Sequence, residues 1–107
     1  MTGKIFRINV KPETIGERGL PKSPVKSAMA TFPGVEGDFN RYRHEKKNDD
    51  PDMAILLITS EVIGRLNNEG WPVRPGDLGE NITARGIPYN EFSPGKSYRI
   101  GRATLEI

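Results

Sequence analysis

Turn-forming residues punctuate this chain from end to end. Twelve glycines and nine prolines are spread over 107 residues, about one residue in five against roughly 12% in average usage. Proline removes a backbone donor and glycine weakens any regular element it interrupts, so a bundle of long helices is excluded. Short strands joined by tight turns remain. A chain of this length buries only about two-thirds of its unfolded surface, enough for one modest core. The reading is therefore one domain over residues 1–107, of α+β class and rich in strand.

Period-two alternation marks Lys4 to Lys11 as a strand, with Phe6, Ile8 and Val10 on one face and Arg7, Asn9 and Lys11 on the other. Residues 13–27 read as a surface loop, and Ser27 to Phe32 as a second strand closed by Pro33-Gly34. The polar segment from Gly34 to Asp52 has neither a helical nor a strand period, and long loops of this kind tend to be functional or disordered. Ala54 to Thr59 is the most apolar stretch and suits a strand buried on both faces. One clear helix is expected over Ser60–Glu69. Ser60 would be its N-cap, Glu61 would sit at the positive end of the dipole, Val62, Ile63 and Leu66 would form its buried stripe, and Gly70 would occupy C′. Glu80 to Ala84 and Ser97 to Ile100 read as strands. Gly101-Arg102 is a two-residue hairpin loop, after which Ala103, Leu105 and Ile107 point inward.

Composition excludes several function classes. Without cysteine there is no disulfide, thiolate–metal site, Fe–S cluster or cysteine nucleophile. No apolar run approaches the ~20 residues that span a bilayer, and with no signal-like stretch the expected compartment is the cytoplasm. Net charge is +2. The basic excess is concentrated in the first 27 residues, without a sustained basic face or interleaved aromatics, so nucleic acid is not an expected partner. Phosphate loops of the P-loop and Gly-x-Gly-x-x-Gly kinds are absent. His44 has no serine in a Gly-x-Ser-x-Gly elbow to work with. One histidine makes a zinc site weak. Asp49, Asp50 and Asp52 lack the central glycine of a calcium loop.

Three stretches carry the residue types that chemistry needs. Gly34-Val35-Glu36-Gly37-Asp38 places carboxylates between glycines, which permit close approach of backbone amides to a ligand; a plain turn uses the same residues. Arg41-Tyr42-Arg43-His44 offers two guanidinium groups that suit phosphate or carboxylate and one imidazole that titrates near neutrality. An ordinary solvated loop has the same composition. Gly79-Glu80-Asn81 places two polar side chains at the end of a strand, where they could orient a ligand or cap a turn. The candidate binding set is Gly37, Asp38, Arg41, Arg43, His44, Asp52, Gly79, Glu80 and Asn81. No catalytic residue and no metal ligand is assigned.

Taken together in this order, Gly34 to Asp38, Pro51-Asp52-Met53-Ala54-Ile55-Leu56-Leu57, Glu61, Gly76-Asp77-Leu78-Gly79-Glu80-Asn81-Ile82-Thr83 and Ile100 to Ile107 resemble the MOSC domain, named for the C-terminal part of molybdenum-cofactor sulfurase. The resemblance covers roughly residues 4–107. It implies a partly closed β-barrel of short strands with one clear helix, and an association with the molybdenum cofactor, through either sulfur handling or cofactor binding. At family level it also carries an association with pyridoxal phosphate. In those members a cysteine just past the stretch where this chain stops carries sulfur or ligates molybdenum. A thiolate is what persulfide transfer requires, and no residue here supplies one. Many members have His-Gly-Gly before the Pro-Asp and Arg after it, where this chain has Asn48-Asp49-Asp50 and Met53, with His44 upstream. Two expectations follow. One is a cysteine-free MOSC domain that binds a small anionic ligand of molybdopterin type, in which Arg41, Arg43 and His44 contact the anion, amides near Gly37 and Gly79 cradle it, Asp38 and Asp52 pair with the loop's own arginines, and a partner protein supplies any sulfur. The other is a non-enzymatic interaction module, including a homodimer paired through the open edge that ends at Ile107.

Overall fold

In the computed structural model, residues 3–16 and 19–107 are described. Glu17 and Arg18, part of the basic N-terminal excess, lie outside them. The strands are β1 (Lys4–Val10), β2 (Ser23–Val25), β3 (Ala30–Thr31), β4 (Gly34–Val35), β5 (Leu57–Thr59), β6 (Ile82–Arg85), β7 (Ser97–Ile100) and β8 (Ala103–Glu106); the helices are α1 (Arg41–Lys46) and α2 (Ser60–Asn68). The central sheet runs β2-β1-β6-β5, with β5 and β6 parallel and joined through α2. Two separate hairpins, β3-β4 and β7-β8, complete the strands.

The α+β, strand-rich class with one clear helix is what is found. The partly closed barrel is not. Among the described residues the three sheets do not join: no strand pairs with the outer side of β5, and none with the outer side of β8. Turns use up the chain where bridging strands would have to be, at residues 70–79 and again from Gly86 through the 3-10 turn at Tyr89–Glu91 to Gly95.

Strand β1 departs from the alternation expected of it. The pairing with β6 shifts between Ile5 and Arg7, so Phe6 forms a bulge, which leaves one residue unpaired and changes which side chains share a face. Asn9 is completely buried while Phe6 is half exposed. Strand β2 lies inside the stretch expected to be loop, paired with Ile8 to Val10. The expected strand from Ser27 to Phe32 reduces to Ala30–Thr31, which turns at Phe32-Pro33 onto Gly34–Val35.

Strand β5 is shorter than the apolar run that encodes it. The Asn81 side chain accepts from the Leu56 amide at 3.3 Å, and the Leu56 carbonyl accepts from the Asn81 amide at 2.9 Å, so the ladder begins only at Leu57. Of its three residues only Thr59 is buried. Thr59, not Ser60, caps α2, accepting from the Val62 amide at 3.3 Å. The helix ends as expected at Gly70, whose φ of 98° is the left-handed conformation that glycine adopts without strain. Gly70 N–H donates to the Asn67 carbonyl and Trp71 N–H to the Leu66 carbonyl, each at 3.0 Å. That pair of bonds is the Schellman closure. Ala103 and Leu105 are half-buried on the inner face of β8, but Ile107 is 43% exposed. No helix among the described residues is long and apolar enough to cross a membrane.

Candidate functional site

The segment from Gly34 to Asp52, expected to be irregular, contains α1. Asn40 caps it by accepting from the Arg43 amide at 2.9 Å, and Arg41 contacts Glu45 one turn later at 3.4 Å. The Asn cap was the available sequence signal; with only six residues and no apolar stripe the helix has no detectable period. Asn48 and Asp49 then take φ of 52° and 54°, a region these two residue types tolerate better than most. This reversal folds the charged connection back over the turn before β6.

A cleft of about 700 Å³ lies between the two. Arg41, Tyr42, Glu45 and Lys46 of α1 face it from one side, Leu20, Leu78 and Gly79 from the other, and Met53, Ile55 and Leu56 line it between them. Asp52 stands at its edge, and Phe39 and Lys22 also reach it. Arg41, Asp52 and Gly79 of the expected binding set thus share one concavity. The Gly79 amide, expected to cradle a ligand, donates instead to the Gly76 carbonyl at 3.2 Å.

Beneath the cleft is a buried polar network that sequence patterning did not assemble. Lys22, only 3% exposed, donates from Nζ to Asp38 Oδ2 at 2.8 Å. Asp38 Oδ2 also accepts from Asn81 Nδ2 at 2.9 Å, and Oδ1 accepts from the Lys11 amide at 2.9 Å. Asp38 therefore pairs with Lys22, not with the loop's arginines. Asn81 Nδ2 reaches the Asn9 carbonyl at 3.3 Å, while Asn9 Nδ2 donates to the Glu80 carbonyl and to Thr83 Oγ1, both at 3.1 Å. Glu80 Oε2 accepts from Thr83 Oγ1 at 2.9 Å and from the Gly76 amide at 3.0 Å, and its Oε1 is buried without a partner. Arg7 closes the network, donating from Nε to Asn9 Oδ1 and from Nη2 to the Lys22 carbonyl at 3.0 Å.

A charge taken out of water is tolerated only when paired and hydrogen-bonded, which is what Lys22 and Asp38 achieve. Glu80, Asn81 and Asp38 are thereby turned into the protein rather than toward the cleft. Gly76, at φ 89°, lets the turn approach closely: a Cβ there would stand 2.4 Å from the Lys22 carbonyl oxygen. Arg7, Asn9 and Thr83 were missed because a face of polar side chains reads as solvent-facing, and Lys22 because it lies in a stretch that reads as surface loop.

The remaining expected residues lie elsewhere. Arg43 donates from Nη2 to the Pro33 carbonyl at 2.7 Å and from Nη1 to the Met53 carbonyl at 3.4 Å, tying α1 to the β3-β4 hairpin. With Gly37 and Asp38 it lines a separate, smaller cleft of about 330 Å³. His44 is more than half exposed, with Nδ1 3.0 Å from Asp49 Oδ2, and its ring packs near Phe39. It does not line the larger cleft. Among the described residues no three His, Asp or Glu side chains are placed to hold a metal ion.

The MOSC domain family model matches residues 42–107, more than half of the chain, taking in α1 from Tyr42, the β5-α2-β6 unit and the β7-β8 hairpin. The chain belongs to the MOSC domain family. No curated protein and no solved structure matches it. Relative to the matched segment, the MOSC cleft has its Tyr42, Lys46, Met53, Leu56 and Gly79 inside the match, while Leu20, Phe39 and Arg41 come from the preceding residues.

Proposed function

We propose that this MOSC domain is a binding module for a small anionic ligand of molybdopterin type, held in the cleft between α1 and the Leu78-Gly79 turn. The observation that carries the reading is the composition of that cleft: the cations Arg41 and Lys46, with the carboxylates of Glu45 and Asp52 beside them, stand above apolar walls of Met53, Leu56 and Leu78. A flat heterocycle bearing a phosphate asks for this division, with apolar surface for the ring and guanidinium or ammonium groups for the anion.

The fit to the whole cofactor is partial. The cationic rim and apolar wall suit the pterin and its phosphate. Metal coordination finds no counterpart, because the described residues offer no grouping of three carboxylate or imidazole ligands and the 107 residues contain no cysteine. This chain's own part is therefore recognition. Arg41 and Lys46 hold the anion, Tyr42 and Phe39 flank the ring, and the buried Lys22–Asp38–Asn81 network keeps the floor in place. Sulfur transfer, if the domain takes part in it, draws its thiolate from a partner protein.

Titration of the purified protein with a pterin phosphomonoester, followed by pterin fluorescence, tests the reading. Saturable one-to-one binding that falls with added salt is expected, since exposed ion pairs are screened. Charge reversal at the exposed Lys46 (Lys46→Glu) should weaken it by about tenfold, equivalent to ~1.4 kcal/mol. Absence of saturable binding at low salt would overturn the proposal.

A further inference from the structure

Two ion pairs border the cleft at α1, and they are held on opposite terms. Lys22 and Asp38 meet at 2.8 Å with side chains 3% and 6% exposed, so this pair is a fixed part of the floor. Arg41 and Glu45 meet at 3.4 Å with side chains 31% and 52% exposed. Charge-assisted bonds of this kind normally run ~2.7–2.9 Å, and a guanidinium can hold two oxygens of one anion side by side. Glu45 offers Arg41 a single oxygen at long range, and among the described residues it has no other ion-pair or backbone partner. An exposed helical pair at this spacing shifts an equilibrium by only about a factor of two. It is therefore open to exchange, as the buried pair is not.

Both members line the cleft, and so do Lys46 and Asp52. Neither Lys46 nor Asp52 has an ion-pair partner among the described residues. With Lys22 committed to Asp38, the cations Arg41 and Lys46 are matched in number by the carboxylates Glu45 and Asp52. The cleft's own side chains thus present no surplus of positive charge. An anion gains full use of Arg41 only by taking it from Glu45.

We infer that Glu45 is a built-in competitor for the anion site: its carboxylate occupies the Arg41 guanidinium and must yield it to a terminal phosphate, which brings the second oxygen that Glu45 does not. The inference rests on the reading of the cleft as an anion receptor and adds a filter to it. A ligand without an oxyanion gains nothing by displacing Glu45. One whose oxyanion falls short of Arg41 meets the repulsion of the carboxylate instead. The class admitted is the phosphomonoester whose phosphate reaches α1.

The test uses two probes, inorganic phosphate and a pterin phosphomonoester. Each is titrated at low salt into wild type, Glu45→Gln, Arg41→Gln and the double variant, and followed by the NMR amide shifts of α1. Glu45→Gln should bind both probes about three- to tenfold more tightly than wild type. In the Arg41→Gln background the same change should tighten binding by less than about twofold, because the competitor then has nothing to withhold. A carboxylate acting only through its general field would give equal gains in the two backgrounds. Phosphate binding that tightens in this Arg41-dependent way, without saturable binding of the ester, keeps the competitor and refutes the molybdopterin-type ligand. Ester binding that Glu45→Gln leaves unchanged, or tightens equally without Arg41, overturns the competitor while the ligand reading stands. Absence of binding in every variant overturns both, as does phosphate binding indifferent to Glu45→Gln with no binding of the ester.

Discussion

The two faces of the central sheet are built on opposite plans. One face carries Arg7, Asn9, Asn81 and Thr83, with Glu80, Asp38 and Lys22 beside them, and nearly every polar atom there has a partner at hydrogen-bond distance. The other carries Ile5, Ile8, Ile82 and Ala84; Ile82 and Ala84 are buried, yet crevices remain between this face and the β7-β8 hairpin. Apolar burial dominates stability in most folds of this size. Here the polar face holds the more fully satisfied interactions, and it is also the face that supports the floor of the cleft. Directional contacts fix positions more sharply than non-directional ones, so a cleft resting on the polar side keeps its geometry even where the apolar side is loosely filled.

Substitutions on the two faces should therefore differ in kind. Replacing Lys22 by Met leaves Asp38 buried without its counter-charge and should cost ~3–5 kcal/mol, measured as a large fall in the urea midpoint; a loss below ~1 kcal/mol would break the contrast. Thr83→Val removes one donor from Glu80 Oε2 and one acceptor from Asn9, and should cost about 1–3 kcal/mol. Across from the other face, Ile100→Val trims a β7 side chain that already borders the crevices. It should fall at or below the ~0.5–1.5 kcal/mol usual for this change. Should it cost as much as Thr83→Val, the apolar face is better packed than its crevices indicate.

The smallest effect concerns a contact outside both faces. The Gly86 amide donates to Glu61 Oε2 at 3.1 Å, and this bond holds the Glu61 carboxyl below its ordinary 4.5. A carboxyl lowered in the folded state contributes stability that is complete above the unfolded value and is lost as pH falls through the folded one. Glu61→Gln keeps an acceptor without a titrating proton. It should slightly lower stability at neutral pH, converge with the wild type in acid, and so flatten the stability curve below 4.5, which thermal melts across that range would detect.

Where the sequence could be read, it was through signals that act locally. The α2 helix and its closure at Gly70 follow from a run of compatible residues with a glycine in place. The β7-β8 hairpin follows from Gly101-Arg102 between two alternating stretches. The order of short motifs from Gly34 to Ile107 was enough to indicate the family. Non-local causes were not legible. The Phe6 bulge brings Ile5 onto the face of Ile8 and is fixed by pairing with β6, seventy-odd residues away. Strand β2 exists because β1 offers it an edge. For the candidate site, the return of the charged connection toward Gly79 was foreseeable from two polar stretches around an apolar one. The division between residues that face the cleft (Arg41, Asp52, Gly79) and residues spent on internal contacts (Asp38, Arg43, Glu80, Asn81) was not, because it depends on a buried lysine from a stretch that reads as surface loop. Closure of a barrel was expected from family resemblance and does not occur, since no described strand bridges β5 and the last hairpin.

The most direct test of the cleft as an anion receptor compares two variants in one titration with a pterin phosphomonoester. Lys46→Glu alters the rim and leaves the buried network intact; Asn81→Ala alters the network without touching the rim. Binding about tenfold weaker in Lys46→Glu at an unchanged unfolding midpoint, with Asn81→Ala losing stability first, is the result expected of a cationic rim set on a polar foundation. Wild-type protein that fails to bind, or binding that Lys46→Glu leaves untouched, would contradict it.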